Sequence, residues 1–545
     1  MENFMSSRRS FVKATGATLA LGALAGLAGC APRDQKESDT QAAQTESYAA
    51  TSADNTSWDA EYDVVIVGGG AAGNAAAVTV ATEGNGATCT LLEKGTQMLG
   101  NSFFSAGRCI YADDKGKVMT YLKGLYGDEG TVDEAILEAF ADGLLENKEW
   151  VGNLAPVAEE FAVEEPGAPS PSQDWCYPEY GELEESYSIG NVRVGITKDG
   201  SDPTGPRTIP VMLEQLVQTD YADAVDYRKE TTVTSLVQDS TGRIVGVVAE
   251  GDKGTINIKA NKGVIMACGG FENDPQMLQN YLSMHQVYAR CTGNTGDGHR
   301  MCQKVGADMW HMHSTFGPWP SVRDLRDESQ SLSFKESYGI YVGDNGLRFM
   351  ADGNGNLAKA PGEDMRLSSG NRHGHFNVGG TFMNICLPET MWMVCDSNAV
   401  AAGAFGKDAD PIADGSVYSA DTIEELAEKM GVDAENLSQT VAQWNEYCDA
   451  GKDLGFGRYP EFMKDAKIVE PPFIAAVSRP MINNTDGGPR RNENAQIVDP
   501  YGDPIPGLYG TGEFGSIWSH LYQGGGNIAE CVVFSRIAAR HILES

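Results

Sequence analysis

The stretch YDVVIVGGGAAGNAAAVTVAT, residues 62–82, joins an apolar run to a run of small residues through three consecutive glycines. The β-branched run at its start predicts a buried parallel strand, and the small residues that follow predict a helix. Between them lies the pattern G-x-G-x-x-G, whose glycines are Gly68, Gly70 and Gly73. The first glycine makes the tight turn, the second lets the backbone approach a pyrophosphate, and the third packs helix on strand. The stretch therefore predicts a dinucleotide site, in which Ala72 and its neighbours present helix N–H groups to the phosphates.

A second strand and an acidic residue extend this pattern. Residues 88–92 (TCTLL) read as a strand, and Glu93 follows them, about twenty residues after Gly73. A carboxylate at that position accepts hydrogen bonds from ribose hydroxyls and disfavours a 2′-phosphate, so NADP fits poorly. A lone glycine motif can be a turn without a ligand, but the two halves together indicate bound NAD or FAD.

The first thirty residues have the features of an export signal. SRRSFVK, residues 7–13, fits a twin-arginine signal, and a short Gly/Ala-rich apolar stretch follows it. That stretch ends in Leu27-Ala28-Gly29-Cys30, which is typical of a lipoprotein cleavage box and predicts a lipid on Cys30; cleavage nearby without a lipid is the alternative. We therefore expect twin-arginine export and a lipid anchor at the outer face of the cytoplasmic membrane. Residues 31–59 are small and polar and predict a flexible tether.

Composition and charge exclude several classes of partner. The chain has 545 residues, 41% of them apolar, which allows a large core and two or more domains. Its 76 acidic and 41 basic residues give a net charge of -35, which argues against nucleic acid or an anionic lipid surface as a partner. The eleven cysteines include no C-x-x-C or C-x-x-C-H pattern, so we expect no metal site and no attached haem. Scattered cysteines could still meet around an iron–sulfur cluster, and that alternative stays open.

Further segments carry a resemblance to a known family. They are 99–107 (LGNSFFSAG), 267–271 (ACGGF), 295–298 (TGDG), 507–513 (GLYGTGE) and 524–527 (GGGN). In this order they resemble the FAD-binding segments of the fumarate reductase and succinate dehydrogenase flavoprotein family, over essentially all of residues 61–545. Members include soluble fumarate reductases, urocanate reductase, cardiac glycoside reductase and ketosteroid dehydrogenases. The resemblance implies an FAD-dependent oxidoreductase that acts on CH–CH groups.

The resemblance also implies an α/β fold and a division into domains. We expect a Rossmann-type FAD-binding domain with a parallel sheet, and an inserted α+β clamp (capping) domain that closes over the flavin. The predicted divisions are 1–30 for the signal, 31–59 for the tether, 60–308 and 485–545 for the FAD-binding domain, and 309–484 for the clamp. Within the clamp, Thr422 begins an amphipathic pattern that predicts a helix, and a second helix is predicted through Trp444 and Tyr447.

The cofactor residues follow by comparison with the family. The predicted set is Gly68, Gly70, Ala72, Gly73, Glu93, Lys94, Asn101, Ser102, Gly107, Gly269, Asp297, Glu513, Asn527 and Ile528. Glu93 would hold the adenosine ribose, Glu513 the ribityl chain, and Asn527 with Ile528 the pyrimidine end of the flavin. Members with covalent flavin have a histidine near the position of Asn101. This chain has none there, so we expect non-covalent FAD.

The substrate residues of the family are matched only in part. His313 falls where fumarate-type members have their first substrate-facing histidine, with a packed, hydrogen-bonded histidine as the alternative. The second histidine is replaced within Asn483–Gly488, and the arginine acid expected after Arg348 is missing. The carboxylate-binding arginine is also missing from Leu521–Asn527. Because a buried carboxylate without its charge partner costs on the order of several kcal/mol, these departures disfavour fumarate.

Two residues could replace the missing arginines. Tyr522 and Gly526 have the spacing at which ketosteroid dehydrogenases place a tyrosine hydroxyl and a glycine N–H on a substrate carbonyl. Such a pair would stabilise the enolate that hydride addition to an enone creates, and plain packing of Tyr522 is the alternative. The sequence does not identify the proton donor. The residues considered for that role are Tyr338, His520, Arg366 and Arg372.

These inferences combine into one functional expectation. The sequence predicts an exported FAD reductase that saturates a C=C bond conjugated to a carbonyl or carboxylate. Electrons would come from a separate membrane-linked cytochrome or quinol-oxidising donor, in anaerobic respiration. The alternatives are a steroid-type dehydrogenase that runs the chemistry backwards and an exported binding lipoprotein without redox activity.

Overall fold

The structure is a computed structural model. The residues it describes are 51–105, 107–126, 132–155, 161–166, 178–195, 208–351, 371–372, 375–378, 381–384, 386–519 and 521–545. The predicted export signal with Cys30, and most of the predicted tether, lie outside these residues, as do His520 and Arg366. Of the described helices, none combines the length and apolar character needed to cross a bilayer.

The described secondary structure alternates strands and helices along the first half of the chain. The strands are β1 (Thr51–Ser52), β2 (Ala60–Val67), β3 (Cys89–Leu92), β4 (Cys109–Ala112), β5 (Ala162–Glu164), β6 (Ile189–Arg193), β7 (Val225–Arg228), β8 (Thr232–Gln238), β9 (Ile244–Gly251), β10 (Gly254–Met266), β11 (Tyr288–Ala289), β12 (Met309–Trp310), β13 (Thr315–Phe316), β14 (Trp319–Asp324), β15 (Asp327–Ser331), β16 (Ile340–Gly343), β17 (Asn371–Arg372), β18 (His375–Val378), β19 (Thr381–Asn384), β20 (Met391–Cys395), β21 (Tyr418–Ala420), β22 (Phe473–Ile482), β23 (Asn484–Thr485), β24 (Gly488–Pro489), β25 (Gln496–Val498) and β26 (Pro504–Gly510). The helices are α1 (Ala71–Glu83), α2 (Lys115–Tyr126), α3 (Glu134–Leu154), α4 (Ile209–Gln218), α5 (Pro275–Leu282), α6 (Asp297–Lys304), α7 (Ser397–Ala401), α8 (Ile423–Met430), α9 (Ala434–Ala450) and α10 (Gly526–Glu544).

The larger sheet contains the predicted parallel core. Strands β7, β3, β2, β10 and β26 lie side by side in that order and are mutually parallel. Strands β8 and β9 extend the sheet through antiparallel pairing with the first half of β10. The side chains of β2 from Val64 to Val67 are buried on both faces, as expected for a parallel strand covered by helices. The predicted α/β class is confirmed.

The carboxyl ends of three adjacent strands meet at one edge of this sheet. Hydrogen bonds join the loops there: Ala267 N donates to Val67 O (2.8 Å), and Thr511 N donates to Met266 O (3.1 Å). The loops after β2, β10 and β26 carry the three glycine-rich segments of the sequence. Ligands bind at such an edge in open α/β sheets, so the topology brings distant motifs to one place.

A second sheet is largely antiparallel. Strands β15, β14, β22, β20 and β16 follow one another, each antiparallel to the next. Helices α8 and α9 cover one face of it through a core that includes Leu426, Leu437 and Trp444. Helix α8 begins where predicted, because the hydroxyl of Thr422 accepts a hydrogen bond from Glu425 N (3.1 Å). The sheet lies almost entirely within the residues predicted as the clamp, although the boundaries of that division stay predictions.

The structure differs from the predicted tether at its C-terminal end. Thr51 and Ser52 form a short strand that pairs with β8, and Asp59 N donates to Asn257 O (2.9 Å). The ring of Trp58 packs against Gly246. A large aromatic residue gains free energy when it is buried, which gives residues 51–59 a reason to pack on the sheet.

Candidate active site

A cavity lies at the carboxyl edge of the large sheet, with about 850 Å³ of empty space when the open solvent at its mouth is included. We call it the first cavity. Its lining includes the predicted cofactor residues Gly68, Gly70, Ala72, Glu93, Lys94, Asn101, Ser102, Gly269, Asp297 and Glu513.

The glycines bring the backbone close to this cavity. A Cβ at Gly73 would lie 1.8 Å from the carbonyl oxygen of Gly68, so any side chain there would separate helix α1 from strand β2. A Cβ at Gly70 would contact only the hydroxyl of Ser102, at 3.3 Å, because this glycine faces the cavity. The two positions therefore need glycine for different reasons, one for packing and the other for ligand approach.

The N-terminus of α1 points into the first cavity. The hydroxyl of Ser102 accepts a hydrogen bond from Ala71 N (3.0 Å), and the first intrahelical bond runs from Asn74 N to Gly70 O (3.0 Å). The N–H groups of Ala72 and Gly73 lie between these two donors. Helix N-termini carry partial positive charge and bind phosphates, so this end of the cavity suits a pyrophosphate.

Glu93 is positioned to accept hydrogen bonds from a ribose. It is buried, and its carboxylate accepts hydrogen bonds from Gly69 N and Gly95 N, both at 2.8 Å. These bonds fix the side chain against the loop after β2. Because a carboxylate has about four acceptor positions, Glu93 can still accept from hydroxyls in the cavity.

Lys94 and Asp297 form an ion pair in the lining of the first cavity. Lys94 Nζ lies 2.8 Å from Asp297 Oδ2 and donates to Thr295 Oγ1 at 2.6 Å. Burial opposes ionisation of Asp297, but the hydrogen bonds from Lys94 and Thr295 lower the pKa of its carboxyl overall. Asp297 opens helix α6, where a negative charge is favourable.

A second cavity continues from the first, with about 1260 Å³ of empty space when open solvent is included. The two share Asn101, Ser102, Glu513 and Cys531 in their linings. The predicted residues that line only the second cavity are Gly107, Tyr522, Asn527 and Ile528. Gly107 has a φ of +69°, and a Cβ there would lie 2.8 Å from the side chain of Thr208.

Buried carboxyl groups cluster where the two cavities meet. Asn101 donates to Glu272 and Glu513, and Asn294 donates to the same two residues at 2.8 and 3.3 Å. Burial, followed by the charge of Glu272, raises the pKa of Glu513 well above its ordinary value, and burial also raises the pKa of Glu272. Burial raises the pKa of the nearby Asp486 in the same direction. These carboxyls therefore hold protons at pH values where exposed carboxylates are ionised.

Tyr522 lies on the wall of the second cavity and is 6% exposed. Its ring packs against Phe316 (4.6 Å between centroids) and Trp518 (5.6 Å). Its hydroxyl accepts a long hydrogen bond from Asn527 N (3.5 Å). Burial raises the pKa of the Tyr522 hydroxyl above its ordinary value, so the group keeps its proton and can donate it in a hydrogen bond.

Two of the residues predicted to be catalytic do not join Tyr522. The N–H of Gly526 donates to Gln523 O (2.8 Å), and a Cβ at Gly526 would strike the ring of Trp518 at 2.3 Å. His313 is exposed and is not part of the lining of the second cavity. The buried histidine of that segment is His311, whose Nδ1 lies 2.8 Å from Ser516 O. The catalytic roles of Gly526 and His313 stay predictions.

The second cavity also contains side chains that sequence reasoning missed. Arg108, Arg290 and Phe316 belong to its lining, so the cavity is not free of guanidinium groups as the missing family arginines implied. Arg108 directly follows Gly107, and that adjacency to a predicted cofactor residue is a signal the sequence did contain. Arg290 had no such signal, because it reaches the cavity through the pairing of β11 with the end of β22.

Tyr338 is the candidate proton donor whose side chain lies within the described part of the structure. The Tyr338 ring packs beside the core of the second sheet that includes Phe405. Arg348 pairs with Asp453 (3.0 Å) and lies over the ring of Trp444 (4.4 Å), in keeping with a structural role. Among the described residues, no group of three or more His, Cys, Asp or Glu side chains could hold a metal ion.

The residues present fit an FAD molecule extended through both cavities. Three amide oxygens in the lining of the second cavity are buried without a hydrogen-bond partner among the described residues; they belong to Asn101, Asn483 and Asn527. Unpartnered buried acceptors are costly, and the N–H groups of a flavin ring would satisfy such acceptors. The first cavity offers the phosphate and ribose positions, and the second has room for the ring and a substrate.

The fold and the two cavities define the class of protein. A family model described as an FAD binding domain matches residues 63–528. The chain therefore belongs to the fumarate reductase and succinate dehydrogenase family of FAD-binding flavoproteins. It is an FAD-dependent oxidoreductase that acts on CH–CH bonds.

The chain is similar to individual curated proteins and to solved structures. It is 28% identical to digoxin reductase from Eggerthella lenta, over 98% of this chain and 96% of that relative. It is 26% identical to urocanate reductase from the same species, over 88% of this chain and 74% of that relative. The solved structure of 3-ketosteroid delta1-dehydrogenase from Sterolibacterium denitrificans matches with a TM-score of 0.70 at 21% identity, covering 89% of this chain and 99% of that one. The structural likeness confirms the predicted fold.

Proposed function

We propose that the protein is an exported reductase that saturates a C=C bond conjugated to a carbonyl or carboxylate. The similarity to digoxin reductase runs along nearly the whole of both chains, which supports reduction over desaturation. The observation that carries the proposal is the Tyr522 hydroxyl, buried in the wall of the second cavity. A hydroxyl donor placed there suits the oxygen of an activating group beside a C=C bond.

The chain's own residues bind the cofactor, orient the substrate and exclude water from it. Non-covalent FAD, held by the helix N-terminus of α1 and by Glu93, supplies hydride transfer when bound. Tyr522 donates a hydrogen bond to the activating oxygen of the substrate and stabilises the negative charge that develops on it. The apolar rings of Phe316 and Tyr522 keep water from that oxygen, and the lower dielectric strengthens the hydrogen bond.

Localisation and electron supply complete the proposal. The twin-arginine pattern and Leu27–Cys30 support export and a lipid anchor on Cys30 at the outer face of the cytoplasmic membrane. A separate cytochrome or quinol-oxidising membrane protein would supply the electrons, since the 545 residues include no haem-attachment pattern. The reaction would then serve as a terminal step of anaerobic respiration.

Reduced methyl viologen provides the test. The purified, FAD-loaded protein is assayed with enones, enoates and fumarate, and loss of viologen colour is followed together with the saturated product. We expect turnover of enones or enoates and little with fumarate. Turnover of fumarate alone would contradict the proposal, and faster desaturation with an oxidising dye would support the dehydrogenase alternative.

A further inference from the structure

The charge around the second cavity runs against the charge of the whole chain. The protein carries a net charge of -35, yet the charged side chains in the described lining of this cavity are Arg108, Arg290 and Glu513. Burial, followed by the charge of Glu272, raises the pKa of the Glu513 carboxyl well above its ordinary value, and the two arginines outnumber this one carboxyl. The lining is therefore positive in a strongly acidic protein.

Arg108 is already engaged at the base of this cavity. Its guanidinium lies 3.8 Å from Glu164, and the same carboxylate lies 3.7 Å from Arg193. Two arginines share one glutamate, and both partners in the Arg108 pair have side chains only 10% exposed. Since buried charges are screened weakly, this cluster of two arginines and one glutamate contributes a net positive field.

Arg290 differs from Arg108 in its surroundings. It follows β11, whose pairing with β22 places it close to Asn483 in the cavity lining. The residue is exposed, and it makes no ion pair with any residue within the described ranges. Its guanidinium therefore has full capacity for two parallel hydrogen bonds to one carboxylate.

Apart from Arg108, Arg290 and Glu513, the described side chains that line the second cavity are uncharged, and part of this wall is apolar. Phe104, Phe316, Tyr522 and Ile528 form the apolar part, and the ring centroids of Phe316 and Tyr522 lie 4.6 Å apart. A second carboxylate on the substrate would face these side chains without a counter-charge, at a desolvation cost. The arrangement fits one anionic group and one flat apolar group.

From this arrangement we infer that the substrate is a monocarboxylate enoate with a flat apolar substituent, and that Arg290 binds its carboxylate. The inference rests on the proposed reductase function and narrows it. It also assigns the Arg108–Glu164–Arg193 cluster a supporting role, since its positive field attracts the anion without contacting it. Arg290 thus determines specificity, and Tyr522 serves the reaction itself.

Cinnamate tests the inference, with cinnamamide and benzylideneacetone as uncharged counterparts of the same shape. The FAD-loaded wild type, Arg290→Gln and Arg290→Lys are compared in kcat/KM with reduced viologen. We expect Arg290→Gln to lower kcat/KM for cinnamate by about 10- to 100-fold, the range for a lost hydrogen bond to a charged group. For the uncharged substrates, kcat/KM should change by less than about twofold. Arg290→Lys should recover part of the loss in kcat/KM for cinnamate.

Binding supplies a readout that does not depend on turnover. Calorimetric titration of the FAD-loaded protein with the saturated acid, 3-phenylpropanoate, and with its amide should show weaker binding of the acid alone in Arg290→Gln. Added salt should weaken binding of the acid more than of the amide, because it screens the arginine. Lys253→Gln, an exposed change in the turn between β9 and β10, is the control for loss of one positive charge and should leave both affinities unchanged.

The outcomes separate the inference from the proposed function. Turnover of all three substrates with no selective effect of Arg290→Gln overturns the inference and leaves the reductase function intact. An equal loss for all three, accompanied by a shifted flavin midpoint potential, shows that Arg290 acts on the cofactor and also overturns it. If no C=C compound is reduced, the proposed function fails, and the selectivity of acid over amide binding then decides the inference by itself.

Discussion

The two cavities together fit one extended FAD molecule, but they are built in different ways. The phosphate and ribose end of the first is formed mainly by backbone: glycines, helix N–H groups and the carboxylate of Glu93, which Gly69 and Gly95 fix in place. The second is formed by side chains from segments far apart in the sequence, including Arg108, Phe316 and Tyr522. The phosphate and ribose end therefore depends on one local stretch of sequence, whereas the side chains of the second cavity depend on long-range pairing. The following experiments test that contrast, beginning with the largest expected effect.

Gly73→Ala should be the most damaging change in the first cavity. The added methyl would lie 1.8 Å from the carbonyl oxygen of Gly68, and the helix cannot move without breaking the sheet contact. We expect a loss of more than about 4 kcal/mol in the free energy of unfolding, which places it among the severe core changes. FAD content and thermal unfolding of the purified variant measure the effect.

A matched glycine provides the control for this prediction. Gly116 lies in helix α2, and a Cβ there would come no closer than 3.5 Å to Asp114. Gly116→Ala should leave FAD content unchanged and stabilise the helix slightly, since alanine favours helices over glycine. Equal FAD loading of both variants would refute the packing role assigned to Gly73.

This contrast explains which parts could be predicted from the sequence. The strand ending at Val67, the helix after Gly70 and the acid at Glu93 follow from one continuous stretch, and they lie together in the structure. The helix that begins after Thr422 was also predicted, because its cap and its amphipathic pattern are both local. In each case the determining interactions span fewer than thirty residues.

The side chains of the second cavity could not be predicted in the same way. Arg290 reaches the cavity through a two-residue strand paired with residues almost two hundred positions later. The register of such a pairing is set by tertiary packing, which a single sequence does not reveal. His313 illustrates the converse, because the family resemblance pointed to this residue, while in the structure His311 is buried and His313 is exposed.

Tyr522→Phe should have the next largest effect, and this effect should be confined to the rate of substrate turnover. Removal of the hydroxyl deletes the donor to the developing negative charge, and such deletions typically reduce kcat by about 10²- to 10³-fold. FAD content and dye reduction of the flavin should be unchanged. Tyr126→Phe is the control, since Tyr126 is also buried and stacks on Trp518 at 6.3 Å but lies outside both cavity linings.

A smaller effect is expected in the pH dependence of stability. His299 is fully buried beside the first cavity, and burial lowers its pKa to about 4. Below its ordinary pKa the unfolded chain takes up a proton that the folded chain refuses, so stability falls as the pH falls from about 6.5 towards 4, by up to about 3 kcal/mol. Thermal unfolding of His299→Gln should show a shallower acid decline. An unchanged acid slope would contradict this role.

The buried carboxyls near the second cavity act in the opposite direction. Burial raises the pKa of Asp486 and of Glu513, so their stabilising contribution is full at low pH and declines as the pH rises through the raised values. The buried histidine and the buried carboxyls therefore change stability with pH in opposite directions. Asp486→Asn, which mimics the protonated acid, should gain stability relative to the wild type as the pH increases.

The smallest effect is expected at His313. This experiment distinguishes the role that the family resemblance predicts for His313 from the exposed position that the structure shows. The residue is exposed and outside the lining of the second cavity, so His313→Ala should leave kcat/KM within about twofold of the wild type, as surface substitutions usually do. A loss of more than tenfold, with normal FAD content, would mean that the histidine reaches the substrate after closure of the clamp. That result would support a catalytic role for His313, as the family resemblance implies, and would argue against Tyr522 as the main catalytic residue.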